Sequence, residues 1–346
     1  MRKNTSIATI TFSVREYICY MRHFLDFEKP IADLESKIEE LRHLSSDGEL
    51  KIAEEVSKLE AKIKRQLNII YQKLSPWQKV QIARHPQRPH AQTVINHLIK
   101  EYVPLAGDRL FSEDPAIVGG VGRFKGRSVI VIGTEKGATT QERVHHNFGM
   151  ARPEGYRKAR RLMKFADRFR MPILTFIDTA GAYPGIDAEA RGQAEAIARA
   201  IETCLNVRVP LVATILGEGG SGGAVALAAA NKVLMLEHAI YSVISPEGCA
   251  SILWRSVEHA REAADALKIT AQNLKKLGVI DFIVKEPLGG AHRDYNQALL
   301  ALEEAIDQHL KDLIGRDGHI LREERRNKYM AIGAAEDTKN KYLADT

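Results

Sequence analysis

Cysteine is scarce in this chain. Cys19, Cys204 and Cys249 are the only three in 346 residues, and no two of them form a Cys-x-x-Cys pair. That excludes a disulfide framework and a cysteine-built zinc site, and it fits a reducing compartment, so a cytoplasmic protein is expected. No stretch approaches the roughly 18–20 consecutive apolar residues of a membrane helix. The basic start, Met1 to Ser6, has no apolar run behind it, so no signal peptide is expected. No G-x-x-x-x-G-K-[ST] loop occurs anywhere, which removes the P-loop enzymes. Aromatic residues make up only 6%, and the formal net charge is a modest +6. That excess suits anionic partners but does not by itself indicate nucleic acid. What remains is a globular composition, 45% hydrophobic, long enough for one large domain and an appendage.

What is abundant is glycine at one place. Leu211 to Leu216 reads as a buried strand, and Gly217, Gly219, Gly220, Gly222 and Gly223 follow within seven positions. Ala224 to Ala230 is then an apolar, alanine-rich helix. Bare backbone can approach a ligand closely, and a helix start brings unpaired N–H donors and a positive dipole end. An anion or a developing oxyanion is the natural guest. Three motifs overlap in this loop. Gly217, Gly219 and Gly222 match the dinucleotide fingerprint, with Glu237 twenty residues on. Gly219-Gly-Ser221-Gly-Gly223 matches the nucleophile elbow of serine hydrolases. In the third reading, backbone donors form an oxyanion hole and Ser221 is a small turn residue. A plain strand-to-helix turn without a ligand is the bland alternative.

Elsewhere the chain is read in order. Residues 1–23 are an N-terminal extension expected to be disordered, and Met21 is a candidate start. Ile31, Leu34, Ile38, Leu41 and Leu44, then Ile52 to Leu74, keep a three-to-four spacing on either side of Ser45-Ser-Asp-Gly48. The spacing predicts an antiparallel helical hairpin whose stripe serves packing or assembly rather than catalysis. Hairpin and connector together span 24–115. Within the connector, Ala83-Arg-His-Pro-Gln-Arg-Pro89 reads as a basic, extended loop, either phosphate-contacting or a linker. The main α/β domain is expected over 116–315. Ile117–Val121 and Ser128–Gly133 read as strands joined by a turn at Phe124–Arg127. His145 and His146 are adjacent, so they cannot face one metal, and no metal ligands are assigned. Glu154 to Arg170 reads as an amphipathic helix with Leu162, Phe165, Ala166 and Phe169 on its apolar face. Its seven cations, set over 157–170 against one acid, read either as a solvated face, the usual explanation of a charge run, or as an anionic contact such as a phosphate group or an acidic partner. Ile173–Ile177 is a strand running into Asp178-Thr-Ala-Gly181 and a helix over 188–204. This repeats the strand, bare loop and helix of the glycine-rich stretch, so two loops side by side could frame one site. After Gly315 a charged, partly mobile tail is expected over 316–346.

These residues resemble a known family, the α subunits of bacterial acetyl-coenzyme A carboxylase carboxyltransferases. The resemblance covers about Phe24 to Leu313. It rests on Phe24-Leu-Asp-Phe-Glu-Lys-Pro-Ile31, Ala83–Pro89, Asn147-Phe-Gly-Met150, Pro153–Ala159, Gly217–Ala224, Tyr241–Cys249 and Pro287-Leu-Gly-Gly-Ala-His292. Ala180 departs from the proline usual in the family's loop. The resemblance implies an α/β fold of the crotonase/ClpP-like kind, a spiral of ββα units, preceded here by the N-terminal helical hairpin. It implies transfer of the carboxyl group of carboxybiotin, held on a biotin carboxyl carrier protein, to acetyl-CoA, giving malonyl-CoA for fatty acid biosynthesis. It implies a β subunit in an α2β2 assembly that carries the zinc, with biotin carboxylase as a further component. Neither a membrane nor a nucleic acid is an expected partner. By the same resemblance, the backbone N–H groups of Gly222 and Gly223 form an oxyanion hole for biotin. Gly181, Ala182, Gly219, Gly220 and Ser221 are the substrate-binding candidates. A serine hydrolase using Ser221 is the principal competing reading, and a dehydrogenase using Gly217, Gly219 and Gly222 is another.

Overall fold

A computed structural model describes residues 23–43 and 49–333. The expectations for residues 1–22, for the Ser45–Gly48 turn and for residues 334–346 lie outside the described residues. The chain divides into two compact units, residues 1–70 and 71–346. In the first, α1 (Lys29–His43) and α2 (Glu49–Tyr71) carry the two apolar stripes seen in the sequence. Ile31, Leu34, Ile38 and Leu67 are buried. The Arg42–Glu60 ion pair, at 3.2 Å, joins the two helices.

The second unit begins well ahead of the boundary expected near residue 115. Ser75 and Gln78 form a capping box for α3 (Pro76–Ala83), with Pro76 at the first helical position. Then come α4 (Ala91–Leu98) and β1 (Lys100–Pro104). Because β1 pairs antiparallel with β2 (Ile117–Phe124), this stretch is part of the sheet rather than a connector. β3 (Arg127–Thr134) closes a hairpin with β2 through Lys125 and Gly126. Both turn residues have positive φ, 47° and 80°, as the twist of a two-residue hairpin requires.

The remaining elements alternate. They are α5 (Thr140–His145), α6 (Pro153–Phe169), β4 (Ile173–Thr179), α7 (Ile186–Ala190), α8 (Gln193–Asn206), β5 (Leu211–Gly220), α9 (Ser221–Ala228), β6 (Lys232–Leu236) and β7 (Ile240–Ser242). They continue with α10 (Pro246–Leu253), α11 (Ala260–Ala266), α12 (Ala271–Lys276), β8 (Phe282–Val284), α13 (Tyr295–Lys311) and α14 (Gly318–Met330). The sheet runs β1-β2-β3-β4-β5-β6-β8, with β7 paired to β5. From β3 onward every pairing is parallel. β4 and β5 are buried along their whole length, which explains their unbroken apolar runs.

β5 is the pivot. Its first half pairs with β6, up to Ile215 with Met235, and its second half pairs with β7, from Glu218 with Ile240 to Gly220 with Ser242. Against β4 its register slips between Ile177 and Thr179, so Ile177 faces Ile215 while Thr179 faces Gly219. The extra residues on β5 lift its glycine-rich end out of the regular ladder.

The stretch after Gly315 is not simply a charged tail. α14 is capped by Asp317 and buries Leu321 and Arg325. The Arg325 guanidinium donates to the carbonyls of Cys204, Val207 and Val209 and to Asn231 Oδ1. Its charge looked like solvent-facing surface because sequence spacing does not reveal three waiting carbonyls. Tyr329 adds a hydroxyl that donates to Ala228 O and accepts from Ala230 N.

Candidate active site

The two glycine loops meet. The end of β5 and the start of α9 lie against the loop that follows β4. A Cβ on Gly220 would stand 2.1 Å from Ala180 O. One on Gly223 would meet Gly181 C at 2.7 Å, Ala182 N at 2.8 Å and the Tyr156 hydroxyl at 2.9 Å. Contact this close is possible only for glycine. Beside the junction lies a cavity of about 710 Å³. Gly181, Ala182 and Ser221 line it, with Tyr183, Ile197 and Ile244 as apolar walls and Arg84 and Glu247 at one side. Of the residues expected at the site, Gly219, Gly220, Gly222 and Gly223 are not on the cavity wall. Gly219 and Gly220 are still within β5, where Gly219 pairs with both Thr179 and Tyr241.

The donor geometry separates the candidates. α9 begins at Ser221 without a side-chain cap. The amides of its first turn precede any intrahelical acceptor. Among the described residues, the N–H groups of Gly222 and Gly223 donate to no acceptor outside the helix. Gly181 is different. Its φ of 150° suits glycine, but its N–H is already given to Thr179 Oγ1 at 3.0 Å. Gly181 therefore shapes the cavity and is not a free donor. A Cβ on Gly222 would meet only Ile197 Cγ2, at 3.4 Å.

A buried charge network fixes the loop from below. Asp178, at the end of β4, accepts from the Glu218 amide at 2.9 Å and from Lys136 Nζ at 2.9 Å, and its other oxygen is 3.2 Å from His90 Nδ1. Lys136 also reaches Glu218 Oε2, at 3.2 Å. Glu218 Oε1 accepts from Arg84, which binds Glu247 in turn. Burial alone would raise the Asp178 carboxyl, but Lys136 and His90 reverse this and hold it well below the usual range. Burial opposes the Lys136 charge too, yet Asp178 and Glu218 raise its pKa and keep it an ammonium. The register slip in β5 is what brings the Glu218 amide onto Asp178.

The Ala83–Pro89 segment is neither a phosphate loop nor a linker. Arg88 is buried, binds Glu286 through two nitrogens at 2.7 and 2.9 Å, and donates to Leu216 O. Arg84 turns into the cavity wall. The sequence reading missed Lys136, His90, Glu218 and the buried, unpartnered Tyr156 hydroxyl. Only Asp178, in its D-x-x-G setting, and Arg84 carried any local signal. His146 is spent on Pro115 O, at 2.6 Å from Nδ1.

The same geometry weighs against the competing motifs. Ser221 lines the cavity and takes a strained φ of 54°, as an elbow serine does, but no histidine lines the cavity with it. The fingerprint glycines 217 and 219 lie inside a strand rather than in a turn before a helix. A Cβ on Gly217 would run into Ala83 O and Asp178, not toward a nucleotide.

Comparisons with known proteins agree with this fold. The model of the family described as acetyl co-enzyme A carboxylase carboxyltransferase-like matches residues 24–333. The chain is 65% identical over 313 residues to the acetyl-coenzyme A carboxylase carboxyl transferase subunit alpha of Paramagnetospirillum magneticum, covering 90% of this chain and 99% of that one. To the subunit alpha of Rhodospirillum centenum it is 64% identical over 311 residues, covering 90% and 98%. Among solved structures, transcarboxylase 12S with methylmalonyl-coenzyme A bound superposes with a TM-score of 0.54 at 18% identity, covering 65% of this chain and 41% of that one. A Pseudomonas malonate decarboxylase hetero-tetramer in complex with coenzyme A gives 0.53 at 16%, covering 66% and 90%. At such identities the likeness is one of fold, and the fold is the crotonase-like one.

Proposed function

The chain belongs to the acetyl-coenzyme A carboxylase carboxyltransferase α-subunit family, and from that premise we propose that it performs its half of carboxyl transfer with two backbone amides. The reaction moves a carboxyl group from the N1 nitrogen of biotin to the methyl carbon of acetyl-CoA, giving malonyl-CoA. The C–N1 bond of carboxybiotin and one methyl C–H bond break, a C–C bond and an N1–H bond form, and the departing biotin nitrogen takes the methyl proton. Negative charge develops on the biotin urea oxygen and on the thioester enolate oxygen, so donors are needed where that charge appears. A preorganised donor of this kind is typically worth about 3–4 kcal/mol.

The observation that carries the reading is the uncapped first turn of α9, whose Gly222 and Gly223 amides have no protein acceptor outside the helix. They are assigned to the biotin urea oxygen. The cavity beside them suits the flat ureido ring, with Ile197, Ile244 and Tyr183 as apolar walls and Arg84 at its side. Asp178, Lys136 and Glu218 are positioning residues. They hold the Glu218 amide and, through it, the path of the backbone into Gly219–Gly223. No side chain is assigned as nucleophile or general base. A β subunit is the partner, completing the site with the enolate hole and most of the coenzyme A contacts. An α2β2 assembly, zinc held by β, and delivery of biotin by its carrier protein complete the scheme.

The test is co-expression with the β subunit, followed by malonyl-CoA decarboxylation dependent on free biotin. Ser221→Ala is expected to keep turnover within about tenfold. Gly222→Val, at a position with room for a Cβ, is expected to lose at least about 100-fold in kcat with its melting temperature retained. Undiminished turnover in Gly222→Val would sink the oxyanion assignment, and labelling of Ser221 by a fluorophosphonate would favour the hydrolase reading.

A further inference from the structure

At the opposite end of β4 and β5 from the glycine loops lies a second and larger cavity, of about 1220 Å³. It is bordered by Pro172 and Pro210, the residues just before β4 and β5. β5 has ten residues, so this groove is roughly 30 Å from Gly222 along the strand. Its walls come from α6, α8 and the start of α14.

The groove holds seven arginines and lysines against three acids. Three of the cations are already engaged. Arg208 pairs with Asp167 at 3.1 Å, Arg199 with Glu202 at 3.0 Å, and Arg316 with Glu324. The other four, Arg160, Lys164, Arg168 and Arg170, have no acidic partner among the described residues, and all lie on or just after α6. Arg160 is half-buried with its Nε atom sealed from solvent and unbonded. Positions 160, 164 and 168 are spaced i, i+4, so the stripe repels itself along the helix. Solubility does not require such an arrangement, because Arg157, Lys158 and Arg161 of the same helix are all engaged by protein acceptors.

We propose that this groove binds a small ligand carrying two or more phosphate groups. Four unopposed cations stand within eleven residues, about 15 Å of helix, and their long side chains can converge on a di- or triphosphate, which is shorter than that stretch. Guanidinium forks suit phosphate oxygens, and three of the four are arginine. The concave site, walled by three helices, favours a compact anion over an extended chain. The proposal is independent of carboxyl transfer, since the groove is far from the reacting centre.

The experiment is calorimetric titration of the full chain with inorganic tripolyphosphate at low salt. One saturable site per chain is expected. It should weaken at least tenfold in a Lys164→Gln/Arg168→Gln variant and stay unchanged in an Arg123→Gln/Arg127→Gln variant on the β2–β3 hairpin. Both pairs are on the surface, and circular dichroism checks that each variant folds. Non-saturable binding, or equal weakening in both variants, overturns the proposal. So does a single-stranded RNA oligonucleotide that binds the stripe and is not displaced by tripolyphosphate, because the groove would then be a nucleic-acid face.

Discussion

Ser221 shows how one residue is judged by its surroundings. A non-glycine residue at a φ of 54° costs about 1–2 kcal/mol, and such strain usually marks a functional turn. Here the strain belongs to the backbone, which must turn from β5 directly into α9 at this residue. Ser221→Gly should therefore remove the strain, less roughly 0.5–1 kcal/mol of added chain entropy. The expected result is a melting temperature equal to or slightly above that of the parent, with carboxyl transfer within about tenfold, read by thermal melts and the reconstituted assay. A serine nucleophile would instead lose all turnover. Gly223 is constrained differently, since Gly181 and Ala182 of the neighbouring loop leave no room for a Cβ. Glycine density made this region legible in sequence. It could not show which glycines offer donors and which only permit contact.

At the scale of elements, α6 and α14 were the least legible. The charges on α6 read as a single basic face, yet the structure divides them. Lys158 is buried and held by Glu113 and Asp114 O, while Lys164, Arg168 and Arg170 face outward. Phe165 and Phe169, expected on the buried face, are 36% and 56% exposed and pack on each other. Helical periodicity locates an apolar stripe but not its edges. α14 was hidden because its anchor is an arginine. Removing the Arg325 side chain takes the guanidinium donor from three buried carbonyls and from Asn231 Oδ1, which keeps only the Leu211 amide. Arg325→Ala is expected to destabilise the fold by about 3–5 kcal/mol, visible as a lower urea midpoint. A change below about 1 kcal/mol would mean that α14 contributes little to the second unit.

For the whole molecule, the buried ionic groups set the response to acid. Burial would raise the Glu286 carboxyl, but Arg88 and His238 pull it down to about 2 from 4.5. A depressed carboxyl stabilises the fold above its unfolded value and loses that contribution as pH falls through the folded one. For Glu286 the window runs from about pH 4.5 to 2 and the effect is of order 3 kcal/mol. Asp178 acts in the same direction. Burial also lowers the pKa of His292 and of His238, so both favour the fold above about pH 6.5 and oppose it as the solution becomes more acidic. Stability should therefore begin to fall below about pH 6.5 and drop more steeply below about pH 4.5. Glu286→Gln should flatten the lower limb in urea melts taken across pH. A lower limb unchanged in that variant would count against the Arg88–Glu286 pair as its source.

By itself the sequence determined the local plan. The buried strands, the hairpin turn at Lys125 and Gly126, the glycine-rich loop and the helix after it follow from periodicity and backbone freedom, which act over a few residues. The tertiary structure decided which partners meet. It set the slip of β5 against β4 that puts the Glu218 amide on Asp178, the inward turn of Arg84 and Arg88, the burial of Arg325, and the gathering of α6, α8 and α14 around one basic groove. These depend on groups 40 to 200 residues apart arriving within about 3 Å of one another, because hydrogen bonds and ion pairs act only at contact.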